Sequence, residues 1–168
     1  ERWFETEFPQ LLESFCYEGL KVQWKELALE LNKKLSSHAA GGGRRMGTTL
    51  VALLLAEGQY FIMNVGDSRV YALHVGIDRL TKDQSLVQRQ VDLGQLRQEE
   101  AAAHPRRNIL LQCIGASEVV EPDFYGGVVD PGTLFLICSD GFCHAIREEE
   151  IFAQLNPAAL QKEKTIKE

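Results

Sequence analysis

Phe61 to Arg69 reads FIMNVGDSR, an apolar run of strand character that ends in a glycine and then an aspartate. A buried strand has no use for a carboxylate, so Asp67 marks the point where burial stops and a turn begins. The same order recurs at Leu134 to Gly141, LFLICSDG, where Asp140 stands just past a second apolar run. One such aspartate beside a glycine is an ordinary strand terminator. Two of them suggest strand ends that hold carboxylates for a purpose.

Around the first stretch, Thr48 to Gly76 reads as three sequential strands with turns at Glu57 to Gln59 and Gly66 to Ser68. Read as hairpins, these strands imply an antiparallel sheet. Ser85 to Leu93 and Gln98 to Ala103 are predicted as short helices that interrupt the sheet. Further strands are predicted near Asn108 to Cys113 and Thr133 to Cys138, the latter after the turn VDPG, and a last helix from Glu148. Upstream, Trp3, Phe4, Phe8, Leu11, Leu12 and Phe15 fall near helical spacing. Trp24, Leu27, Leu31 and Leu35 predict a second helix from about Val22 to Leu35. Gly41 to Gly43 break it as a mobile connection, and the polar tail QKEKTIKE is expected to fray.

Composition narrows the function. The 168 residues are 45% hydrophobic, enough for one domain with a real core. The net charge of -6 is spread along the chain without a basic face, which argues against nucleic acid and anionic membranes as partners. Leu50 to Ala56 is far shorter than the roughly 20 apolar residues that span a bilayer, and the first residues do not form a signal peptide. Cys16, Cys113, Cys138 and Cys143 lie in no Cys-x-x-Cys pair and are expected to be reduced thiols, pointing to the cytoplasm. No cysteine has an arginine six positions on, and no Gly-x-Ser-x-Gly elbow, P-loop or His-Glu-x-x-His helix occurs.

VGDSRVY and LICSDGF resemble signatures of the metal-dependent serine/threonine protein phosphatases, the PPM or type 2C family. MGTTLVALLL, LTKDQSLV and HPRRNIL follow the same order, so the resemblance runs through nearly all of the chain. The part from LTKDQS to RRNIL is most similar to the bacterial branch, in which it forms a flap beside the active site. The resemblance implies an α/β fold of two packed antiparallel β-sheets flanked by helices, with outer strands missing here. It implies a single partial domain over residues 1–168, with residues 83–114 as the flap.

The implied activity is hydrolysis of phosphoserine and phosphothreonine in proteins by metal-activated water. A phosphate monoester is anionic and repels hydroxide, so cations must neutralise it and lower the pKa of a bound water. Hard Mn²⁺ or Mg²⁺ ions, two or three in a complete enzyme, take oxygen ligands such as aspartate. By resemblance Asp140 binds the catalytic metal pair and Asp67 helps hold a further, weaker ion. Gly141 would allow the close turn, and Thr49 would orient metal-bound water from behind the ligands. Ser68 and Arg69 are expected in turn and salt-bridge roles, and the four histidines stand isolated. Gln84 occupies a place where family members usually carry histidine. An early Asp-Gly, a phosphate-holding arginine near the N-terminus and a late Asp-Asn are absent from their matching places. The chain therefore reads as truncated at both ends and, alone, as inactive. Implied partners are phosphorylated protein substrates and a paired serine/threonine kinase. An inactive phosphatase-like regulatory or binding module is the alternative, as is a phosphatase for a small regulatory protein, which usually lacks the flap.

Overall fold

The structure is a computed structural model and describes residues 5–6, 16–40, 42–44 and 46–157. Leu50–Ala56 (β1) and Gln59–Val65 (β2) form a hairpin, with Leu50 opposite Val65 and Ala56 opposite Gln59. Its two turn residues, Glu57 and Gly58, have φ of 51° and 69°, the left-handed pair that matches the twist of the flanking strands. On its other edge β2 pairs antiparallel with Asp123–Val128 (β5), bringing Asn64 opposite Asp123.

The second turn, Gly66 to Ser68, does not close a hairpin as the sequence suggested. Both edges of β2 are taken, by β1 and β5, so the next strand cannot pair with it and instead joins a second sheet. That strand, Arg69–Leu73 (β3), lies between Ile77–Arg79 (β4) and Leu134–Cys138 (β6), again antiparallel on both sides. The strand expected near Asn108 to Cys113 is also absent. Leu110 and Ile114 make only isolated bridges, to Ser85 and Thr48, and Ile109 and Leu111 are exposed. Two strands went unforeseen: β4 is three residues long, and β5 carries two adjacent glycines that lower strand propensity.

Layering follows from the side-chain periods. Tyr17–Ala40 (α1), longer than its apolar repeat indicated, sets Leu20, Trp24 and Ala28 in one row. That row packs on Phe61, Met63 and Val65, alternate residues of β2. Gly42 at φ 91° and a Gly43 N–H bond to the His38 carbonyl (3.1 Å) close the helix. The intervening β2 residues Ile62 and Asn64 are also fully buried, as is Val70 of β3, and the rings of Tyr60 on β2 and Phe135 on β6 lie 5.7 Å apart. The other face of the second sheet carries Tyr71, Leu73, Leu134 and Leu136. It is covered by Phe142 of a short helix, Asp140–Ala145, and by Ile151 of Glu148–Leu155. Each fully buried Leu or Ile contributes about 1.5–3 kcal/mol. The result is a helix, two antiparallel sheets and helices again, the fold class expected.

Between β4 and β5 lie Leu86–Asp92 (α2), capped by Ser85 Oγ accepting from Gln88 N (3.2 Å), and Gln98–Ala102 (α3). Both expected helices are present, and the helices after β6 are α4 (Asp140–Ala145) and α5 (Glu148–Leu155). The expected helix over Trp3 to Phe15 falls almost wholly outside the described residues, as does the polar tail. Among the described residues no helix is long and apolar enough to cross a membrane.

Candidate metal centre

A cleft of about 390 Å³ opens where the end of β2, the start of α4 and the α2–α3 segment meet. Asp67 and Asp140 both line it, with Arg69, Asp83, Arg107 and His144. Asp67 is delivered by Gly66, and the glycine is obligatory. Its φ is 106°, and a Cβ there would sit 2.5 Å from Thr49 Cγ2. Asp140 opens α4 after Ser139, and its Oδ1 accepts from Gly141 N at 2.7 Å. Gly141 contributes through this N–H, since a Cβ on it would meet only Ser139 Oγ, at 3.9 Å. Thr49 does not line the cleft; its hydroxyl lies 2.8 Å from Ser68 Oγ, immediately beside Asp67.

Two carboxylates in one cleft repel. The Asp67 carboxyl titrates above its usual range, first because burial penalises its charge, then because Asp140 and Asp83 are near. Among the described residues neither Asp67 nor Asp140 has an ion-pair partner, whereas Asp83 has two. Arg69 reaches it with Nε (3.0 Å) and Nη2 (2.7 Å), and Arg79 with Nη2 (2.6 Å). Burial pulls the Arg69 pKa down, but the hydrogen bonds and charge of Asp83 outweigh it and push it higher still. Arg69 is thus the salt-bridge residue the sequence suggested. Its partner Asp83, and Arg79 as the second arginine on that carboxylate, were missed, because fourteen residues separate Arg69 from Asp83 and only the fold joins them.

Gln84, noted in the sequence only as standing where the family usually carries histidine, ties three segments together. Its Oε1 accepts from Gly66 N (2.9 Å), and its Nε2 donates to Asp123 Oδ2 (2.9 Å) and the Glu121 carbonyl (3.1 Å). Its backbone N–H bonds the Gly66 carbonyl at 2.9 Å, and its carbonyl accepts from Leu111 N at 2.8 Å. The turn that carries Asp67 is therefore held on both sides by one residue. The only available signal was its place in LTKDQS.

The donor set suits a hard divalent cation: two oxygen-bearing groups, partly buried, like in charge and unpaired. Among the described residues no group of three or more His, Cys, Asp or Glu side chains is placed to hold a metal; of the cleft's carboxylates, Asp83 is ion-paired and Glu148 opens α5, while Asp67 and Asp140 stand at the two strand ends.

No protein-family model matches the chain. The serine/threonine phosphatase Stp of Listeria monocytogenes is 38% identical over 138 residues, covering 80% of this chain and 54% of that protein. The S. agalactiae serine/threonine phosphatase has a TM-score of 0.76 at 30% identity, over 81% of this chain and 57% of that one. The catalytic domain of the serine/threonine phosphatase PstP, solved with 2 manganese ions, has a TM-score of 0.64 at 29% identity, over 81% of this chain and 58% of that one. The chain spans about half the length of the curated relatives it matches. With the two-sheet fold and the glycine-aspartate strand ends, these likenesses show that the chain belongs to the metal-dependent serine/threonine protein phosphatases, the PPM or type 2C family, on its bacterial side.

Proposed function

We propose that the protein hydrolyses phosphoserine and phosphothreonine in phosphorylated proteins, with Asp67 and Asp140 holding Mn²⁺ or Mg²⁺ in the cleft. The observation that carries this reading is the convergence of two unpaired carboxylates from different sheets on one cleft, where burial and mutual repulsion disfavour the Asp67 charge. A divalent ion, when bound, reverses that repulsion, neutralises phosphate oxygens and acidifies a water. The chain's own residues do the rest. Gln84 and Gly66 fix the Asp67 turn, the Gly141 N–H orients the Asp140 carboxylate, and Thr49 braces Ser68 from behind. Arg107, exposed at the cleft, supplies positive charge toward the substrate anion.

Residues 83–114 act as the flap: Gln88 and Gln98 reach the cleft from α2 and α3. The four free thiols suit a reducing compartment, so we place the protein in the cytoplasm, opposite a serine/threonine kinase that makes its substrates. With two strand-end carboxylates among the described residues, the 168 residues alone bind the ion weakly and do not turn over. The test is manganese-dependent release of phosphate from a phosphothreonine peptide by the full-length protein. Turnover that stops in chelator and returns with Mn²⁺ is expected. No turnover at saturating Mn²⁺ would overturn the enzyme reading and leave a binding module.

A further inference from the structure

Cys138 ends β6 and Cys143 lies inside α4, with Ser139, Asp140, Gly141 and Phe142 between them. The first turn of α4, in which Cys143 N bonds the Ser139 carbonyl at 3.2 Å, folds the second thiol back over the strand end. The two sulfurs stand 3.0 Å apart, closer than unbonded sulfur atoms normally sit, and about 1 Å of further approach makes a disulfide. Both are free and half-buried, and Cys143 lines the cleft, which gives a small oxidant a route to it. The other described thiols lie elsewhere: Cys16 is exposed at the start of α1, and Cys113 has Ser117 Oγ as its neighbour at 3.8 Å.

We propose that Cys138 and Cys143 are an oxidative modification site, a thiol pair that hydrogen peroxide converts to an intramolecular disulfide. The Cys143 sulfur takes one peroxide oxygen; the O–O bond breaks, one water leaves, and a sulfenic acid remains. The Cys138 sulfur then displaces that hydroxyl, which departs with the Cys138 proton as a second water. Two thiols have lost two electrons and the peroxide has gained them. The new bond straddles Asp140, tying the end of β6 to α4 across the turn that aims this carboxylate. Oxidation thereby weakens the hold on the metal, a consequence that rests on the metal-site reading above, whereas the disulfide itself does not.

The reduced full-length protein is treated with stoichiometric hydrogen peroxide, alkylated with N-ethylmaleimide, digested and weighed. The expected product is a 138–143 linkage lighter by two hydrogens, unalkylated and reversed by dithiothreitol. In Cys143→Ser, Cys138 stays alkylatable after the same treatment. Two alkylated thiols after peroxide, sulfinic acid on Cys143 without a linkage, or only intermolecular disulfides would each overturn the proposal. Calorimetric Mn²⁺ titration of both forms reads the consequence, with binding about tenfold weaker when oxidised, as for other changes to the support of a metal ligand. Equal affinities would overturn the switch. If the reduced wild type bound no Mn²⁺, the metal-site reading would fall and the mass result would still decide the disulfide.

Discussion

Gly66 shows what a single residue carries. It must adopt a left-handed φ and leave room for the Thr49 methyl, so the aspartate after it arrives at one place in the cleft. Gly66→Ala should cost roughly 3 kcal/mol, from strain and overlap together, and a urea denaturation curve would show it. Gln84→Ala removes three side-chain hydrogen bonds, leaves Gly66 N without its acceptor, and should cost about 2 kcal/mol by the same measurement. Asp67 behaves in the opposite sense. Its folded pKa is raised, so the folded chain binds its proton more tightly than the unfolded one, and stability falls as pH climbs from the unfolded value through the folded one. Asp67→Asn should therefore raise the melting temperature of the metal-free protein at neutral pH; a lower one would contradict the like-charge account. Asp67 and Asp140 were legible because each ends an apolar run. Gln84 was not, because its partner Asp123 lies 39 residues away on a strand the sequence barely marks.

At the scale of elements, β3 decides the architecture. The alternation around Phe61 to Leu73 showed strands but could not show that both edges of β2 were occupied, since β5 joins it from far along the chain. Local patterns report periods, while pairing partners are long-range. The same limit hid β5, whose glycines mute its pattern, and lent strand character to Asn108 to Cys113, an apolar run in which Leu110 makes only an isolated bridge. Helices α2 and α5 were legible because their signals are local: the Ser85 cap, and glutamates in the first turn of α5. β3, β4 and the segment leading into α2 are locked together by Arg69, Asp83 and Arg79, whose side chains are 17%, 12% and 19% exposed. Asp83→Asn strands two guanidinium groups and should cost about 3 kcal/mol, measured by thermal denaturation. Above its base the α2–α3 segment is held mainly by local bonds, so hydrogen exchange should find Gly94 to Gln98 far less protected than Leu53 to Leu55. Equal protection would contradict the flap assignment.

The whole molecule places two carboxylates where neither sheet alone could bring them. One arrives from the first sheet at the β2–β3 crossing and the other from the second sheet at the β6–α4 junction, and the α2–α3 segment lines the same cleft. The composition excluded several chemistries, and the order of the motifs resembled one family, but the cleft itself appears only when the layers are stacked. The most direct test of the metal-phosphatase account is turnover of a phosphothreonine peptide at saturating Mn²⁺ by the full-length protein and its Asp140→Asn variant. The substitution keeps the shape and removes the charge. Activity should fall by at least about a hundredfold with an unchanged circular dichroism spectrum. Wild-type turnover by Asp140→Asn would contradict the account.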